Sequence, residues 1–198
     1  MTDSMREKNA RSSDQRPGKR ERLIAAAIQL LHQQGVEKTT LVEIAEAADV
    51  PPGNVYYYFK TKDEIVSAVV QTHVAQTKAA LAVIADRHRS PKARLHALVK
   101  ELAGQSHTIA EFGCPHGSLA SELDKRPGAP DLALPELMQV PIGWAEEQLR
   151  ALGRRDAHEL AISLLAAYQG SALISNTFRD PQVLTREARR LDRWIDSL

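Results

Sequence analysis

The sequence predicts an all-α protein, and three observations carry that expectation. Hydrophobic residues make up 43% of the 198 positions but aromatics only 5%, and Gly and Pro number ten each. Such an alanine- and leucine-rich chain, poor in helix breakers, favours helices over strands. Apolar residues also recur at three- and four-residue spacing through most of the chain, the period of amphipathic helices. Finally, the S/T-x-x-E form of a helix N-terminal capping box occurs twice, at Thr40-Leu41-Val42-Glu43 and at Thr61-Lys62-Asp63-Glu64. Together these lead us to expect a polar tail at 1–17, a three-helix unit built on a helix-turn-helix at 18–64, and a helical bundle at 65–198.

Met1 to Pro17 lacks an apolar period and reads as a disordered basic tail. Met1 to Arg22 carries seven Lys/Arg against four Asp/Glu, although the whole chain has a formal net charge of only +1. A basic segment of this kind can follow phosphates but is as often merely solvated. From Lys19 onward Leu23, Ile24, Ala27, Leu30 and Leu31 form one stripe, and Gly35 ends that helix at a C′ position.

Between the two boxes lies a short helix, a turn and a second short helix. Ala45 is small enough for a steep helix crossing, and Asp49 can accept the positive φ that the turn requires. Pro52 suits the first position of the second helix, where its missing N–H costs nothing. Helical phase turns Val55 and Phe59 inward and leaves Gly53, Asn54, Tyr56 and Tyr57 on the far side. That face is small at its start and then aromatic and hydroxyl-bearing. It can approach base edges closely, donate to phosphates and pack on thymine methyls.

Thr40 to Lys62, with its Tyr56-Tyr57-Tyr58-Phe59 run followed by Thr61-Lys62-Asp63-Glu64, resembles the DNA-binding domain of the TetR family of bacterial repressors. The resemblance covers Lys19 to about Val70. In two places the chain departs from that pattern: Asp49 stands at the usual turn glycine, and Pro51 replaces the usual serine cap. The resemblance implies that Thr40, Tyr56 and Lys62 hold phosphates while Pro52, Gly53, Asn54 and Tyr57 face the groove of double-stranded DNA. The alternative, that the tyrosines belong to the core of an ordinary bundle, suits Tyr58 but not Tyr56 or Tyr57.

Downstream, a long helix is expected from Thr61 to about Arg89, with Ser90-Pro91 stopping it. Another should run from Pro91 to about Ala110. The Gly113-Cys114-Pro115-His116-Gly117 stretch breaks the pattern and puts Cys114 and His116 at a turn. It resembles the LmrA-like branch of the family, which includes repressors of multidrug-export genes. A short helix is expected over Ser118 to Asp124, and a Pro/Gly loop over Lys125 to Asp131. A helix from near Pro135 to Leu152 contains Pro141, which removes a backbone bond and offers a kinked pocket wall. Phe112, Cys114, His116, Met138, Trp144 and Tyr168 are candidate lining residues for a small-molecule effector.

Asp156 to Phe178 is apolar over most of its circumference, and Pro181 to Leu198 carries an apolar stripe. Leu160, Leu164, Tyr168, Leu191 and Trp194 are candidates for a homodimer interface; finishing the protomer core is the alternative.

Several functions are disfavoured. One cysteine precludes an internal disulfide, and the seven histidines show no metal-ligand spacing. No nucleophile elbow, phosphate loop, zinc-protease motif or C-x-x-C pair is present. Cys114 with His116 is the nearest approach to a nucleophile–base pair, so a thiol enzyme is the weaker hypothesis. No signal peptide or spanning segment is visible, since Leu160–Ile174 is short and interrupted by polar residues. The expectation is a cytoplasmic DNA-binding regulator, without membrane attachment, cofactor or metal. It would be a homodimeric repressor released from a palindromic operator by a small, largely apolar ligand.

Overall fold

A computed structural model describes residues 17–125 and 133–198. The expected tail, apart from Pro17, and most of the expected Pro/Gly loop lie outside these residues. Among the described residues there are ten helices and no strands.

The first three helices, α1 (Lys19–Gln34), α2 (Leu41–Ala47) and α3 (Pro52–Tyr58), form a small unit on the start of α4 (Lys62–Arg87). Gly35 closes α1 with φ 85, a left-handed conformation that suits glycine. The Thr40 cap closes in both directions: its hydroxyl accepts from Glu43 N–H at 3.2 Å, and Glu43 Oε2 accepts from Thr40 N–H at 2.8 Å. The Thr40 hydroxyl, 2.8 Å from the same carboxylate oxygen, and then the Thr40 N–H hold the Glu43 carboxyl below its ordinary pKa. The second box is only half closed. Thr61 accepts from Glu64 N–H, but the Glu64 carboxylate reaches one residue further back, to Lys60 N–H at 2.7 Å.

At the turn, Asp49 takes φ 52, and Val50 N–H reaches back to the Ala45 carbonyl at 2.9 Å. Asp49 N–H bonds the Glu46 carbonyl, which completes a Schellman motif with aspartate where glycine is usual. Ile44, Ala45, Ala48, Val50, Val55 and Phe59 are buried with Leu23 and Ala27 in one cluster. That cluster does not stop at the expected boundary. It continues through Val66, Val69 and Val70 of α4 into Leu119, Leu123 and Leu137 of the second half.

The second half contains α5 (Pro91–Ala103), α6 (Ser106–Phe112), α7 (Pro115–Asp124), α8 (Glu136–Ala151), α9 (Ala157–Phe178) and α10 (Pro181–Asp196). One continuous helix expected over 91–110 is instead two. The chain breaks at Gly104–Gln105, where Gly104 is the C-cap of α5 and Gln105 the N-cap of α6. The helix through Pro141 is unbroken, and Pro141 itself is buried. A second core joins α4, α5, α8, α9 and α10 around Leu95, Leu149, Leu164, Leu191 and Ile195.

Helix α9 corrects one expectation. Leu164 is 1% exposed, and Tyr168 and Leu191 are also buried within the chain. Their side chains fill the protomer core and are not open to a second copy. Leu160 and Trp194 are half-buried. The exposed apolar side chains of α9 are Ile162, Leu173, Ile174 and Phe178, the second and last 68% and 71% exposed. A helix apolar on all sides is thus covered on only one side by its own chain.

Candidate nucleic-acid interface and effector cavity

The second helix of the helix-turn-helix starts on two prolines. Pro51 stands at the N-cap with no side-chain cap bond, and Pro52 pre-sets the first helical φ. Buried Val55 and Phe59 anchor one side of α3. The opposite side carries Pro52, Gly53, Asn54, Tyr56 and Tyr57, all exposed, with Tyr57 at 79%. A Cβ on Gly53 would meet nothing within 4 Å, so nothing in the protein shields this start of the helix. Tyr57 is braced edge-on by half-buried Tyr58 at 5.0 Å. Lys60 Nζ closes the C-terminal end by donating to the Tyr56 carbonyl at 2.7 Å. Thr40, at the start of α2, is exposed as well.

Lys62 is placed differently from its expected role. Its ammonium donates to the carbonyls of Val36, Glu37 and Thr39 at 2.8, 3.1 and 3.1 Å. Three donors meet three acceptors, so the side chain is committed to the loop between α1 and α2. From the other side Glu122 of α7 accepts from Val36 N–H at 2.9 Å and Glu37 N–H at 2.8 Å. The head's first loop is therefore held between a lysine of α4 and a carboxylate of α7.

Helix α7 also leads to the cavity. Gly113, at φ 86, turns the chain from α6, and an added Cβ there would come within 2.8 Å of Ser118 Oγ. Cys114 then caps α7, and His116 lies in its first turn. A cavity of about 370 Å³ between α1 and α4–α9 is lined by Cys114, His116, Met138 and Tyr168 together with Pro141. Phe112 and Trp144 fall outside it. Phe112 stacks edge-on against His32, and Trp144 packs into the core around Leu149. Sequence reasoning missed His32, His73 and Gln169, which complete the lining. His73 and Gln169 lie on long helices where nothing in the local pattern marks them as pocket residues.

Gln169 Nε2 donates toward Cys114 Sγ at 3.5 Å and Met138 Sδ at 3.6 Å. Tyr168 O–H points to the same sulfur at 4.0 Å. Burial and the adjacent thiol hold the Tyr168 hydroxyl protonated well beyond its ordinary range. His116 shares the cavity with Cys114, but its ring packs on His73. The thiol's partners are thus Gln169 and Tyr168, an arrangement without a base to activate it. Among the described residues no His/Cys/Asp/Glu group could hold a metal ion, and no helix is long and apolar enough to cross a membrane.

An exposed recognition helix on a capped three-helix head, joined to a helical domain with an internal cavity, defines a helix-turn-helix transcriptional regulator. Residues 23–69 match the family model described as bacterial regulatory proteins, tetR family. The chain is 29% identical over 170 residues to a helix-turn-helix regulator from the lacX 3′ region of Lactococcus lactis subsp. lactis. That match covers 83% of this chain and 87% of the relative. The regulator LmrA of Bacillus subtilis is 27% identical over 165 residues, covering 81% and 88%. A TetR regulator from Legionella pneumophila shares the fold with a TM-score of 0.81 at 20% identity, over 90% of this chain and 98% of that one. Residues 23–69 thus match the DNA-binding domain of the TetR family, and the relatives that match over most of the chain are helix-turn-helix transcriptional regulators.

Proposed function

We propose that the protein is a cytoplasmic homodimeric repressor that leaves a palindromic operator when a small, largely apolar ligand enters the cavity. Residues 18–64 act as the DNA-binding head and 65–198 as the ligand-binding and dimerisation domain. The observation that carries this reading is the outward face of α3, where Gly53, Asn54, Tyr56 and Tyr57 stand clear of the fold. Pro52, Gly53, Asn54 and Tyr57 enter the major groove, while Thr40 and Tyr56 reach phosphates. Lys62 fixes the loop that presents Thr40.

Two copies pair through the uncovered side of α9 at Ile162, Leu173, Ile174 and Phe178, with Leu160 and Trp194 at its margin. Pairing sets two recognition helices about one helical turn apart, so the operator is a near-palindrome. Ligand binding shifts α7, and Glu122 passes that shift to the first loop of the head. The ligand releases DNA only in so far as it binds the displaced state more tightly. The likeness to the transcriptional regulator LmrA over most of both chains supports a regulatory role of this kind.

The test is selection of genomic fragments by the purified protein, followed by gel shifts on the enriched sequences. A near-palindromic site bound by the wild type and bound more weakly by Tyr57→Ala is expected. Unselective binding, or binding indifferent to Tyr57, would overturn the groove assignment.

A further inference from the structure

Three imidazoles from three helices meet at the cavity: His32 from α1, His73 from α4 and His116 from α7. The His73 and His116 rings lie edge to face with centroids 4.9 Å apart. Among the described residues, the histidines that make hydrogen bonds are His32, His96 and His158, so His73 and His116 keep their nitrogens for the cavity. His32 Nε2 lies 2.8 Å from the Gly113 carbonyl. A carbonyl only accepts, so Nε2 is the donor there and Nδ1 is the ring nitrogen without a protein partner among the described residues. The walls are otherwise mostly apolar, with Ile28, Leu81, Leu137 and Leu165 among them.

No carboxylate answers these rings from inside. The other titratable groups around the cavity are Glu101 on α5, Cys114 at the start of α7 and Tyr168 on α9. Glu101 is exposed to solvent. The α6 and α8 sides contribute the neutral Gln105, Thr108 and Met138. Burial first, then repulsion from His116 and His32, pushes His73 down to about 4; burial and His32 lower His116 as well. His73 and His116 are thus proton acceptors that burial and the neighbouring imidazoles hold back from taking a proton.

We propose that the effector is a small apolar carboxylic acid whose carboxylate is received among His32, His73 and His116, with one proton taken up from water. The proposal rests on the reading of this cavity as the effector site. The acid arrives ionised, one imidazole takes a proton from solvent, and the resulting ion pair is neutral within the apolar walls. No covalent bond forms or breaks. An anion among the rings offsets the repulsion that keeps them deprotonated, and the low local dielectric strengthens that pairing. A neutral amide of the same shape gains hydrogen bonds but no ion pair. A cation gains nothing from the rings and finds its carboxylate only at the exposed Glu101.

The linkage has a definite sign. Binding raises the pKa of the receiving histidine from its depressed value, so protons are taken up wherever the pH lies between the two. Affinity for the acid therefore falls as pH rises, by about tenfold per unit between pH 5 and pH 7. The probes are 1-naphthylacetate, its primary amide and 2-(1-naphthyl)ethylamine, titrated calorimetrically in two buffers of different ionisation enthalpy. The acid is expected to bind with uptake of about one proton, and the amide without pH dependence. His73→Gln and His116→Gln keep hydrogen-bonding capacity without charge. Each should weaken the acid at least tenfold at pH 6 and leave the amide within about twofold. If either variant fails to fold, the proton uptake of the wild type decides alone. Equal or better binding of the amide or the amine, no binding by the acid, or acid binding without proton uptake would overturn the proposal. Gel shifts run alongside separate the two readings. Amide-driven release of DNA would sink the acid assignment and keep the switch, whereas acid uptake with unchanged DNA affinity would keep the assignment and sink the switch.

Discussion

Helices α3 and α9 both leave large side chains in water, and they do so in opposite ways. On α3 the exposed pair is Tyr56 and Tyr57, rings with a hydroxyl tip, flanked by Gly53, Asn54 and Lys60. On α9 the exposed set is Ile162, Leu173, Ile174 and Phe178, with no polar atom among their side chains. A face of the first kind suits a wet, charged surface that must be reached closely and left again. A face of the second kind suits a dry surface of matching chemistry, as another copy of α9 would offer. Exposure alone does not distinguish the two faces; the chemistry at the side-chain tip does.

That contrast can be broken most forcefully on α9. Leu164→Glu places a carboxylate where the side chain is 1% exposed, and Leu173→Glu places the same group on the uncovered side. The first should cost about 4 kcal/mol or more and abolish the cooperative thermal transition, because the charge has no partner in the core. The second should leave the fold intact by circular dichroism and yield monomers in sedimentation. A persistent dimer in Leu173→Glu and Phe178→Glu would move the interface elsewhere. On α3 the corresponding change is Tyr57→Ala. It should lower operator affinity by about 1–3 kcal/mol, read by gel shift, with an unchanged melting temperature since the ring supports no core. A fall in stability of the same size would mean that Tyr57 braces Tyr58 more than it meets DNA.

The head was legible because its signals are local. A cap, a turn and a helix phase are each fixed by residues a few positions apart, so Thr40, Asp49, Pro52 and Val55 could be assigned from sequence. The far half was harder because its assignments depend on which helices meet. Leu164 and Leu173 are both leucines on one apolar helix, and nothing in the chain says which of them the neighbouring helices cover. The cavity shows the same limit. Cys114, His116 and Met138 were found from a broken pattern and a proline, but His32 and His73 belong to helices that look ordinary along their own length. Phe112 and Trp144 were drawn in by residue type alone, and packing sent them elsewhere. The break at Gly104 was missed because the apolar period continues across it.

Acidification probes the cavity itself. His73 has its folded pKa depressed to about 4 from the ordinary 6.5, so the unfolded chain binds a proton that the native state refuses. Stability contributed by this group is full above pH 6.5 and is lost as pH falls towards 4. The wild type should therefore lose melting temperature over that window more steeply than His73→Gln. Parallel curves would mean that the ring is already reached by water.

Lys62 offers the sharpest comparison between a contact with DNA and a contact within the head. The family resemblance assigns it to a phosphate, whereas its ammonium is shared among the carbonyls of Val36, Glu37 and Thr39. A phosphate contact contributes counterion release, so its removal shallows the salt dependence of binding by about one unit of log–log slope. A loop contact contributes nothing to that slope. Its removal frees three carbonyls, two of them part-buried, and should cost about 1.5–3 kcal/mol in stability. Lys62→Ala is expected to melt earlier and to bind DNA more weakly at every salt concentration, with a parallel salt plot. Lys62→Gln, which can still reach a carbonyl, should recover part of the stability. A shallower slope with an unchanged melting temperature would return Lys62 to the phosphates and free Glu122 alone to hold the loop.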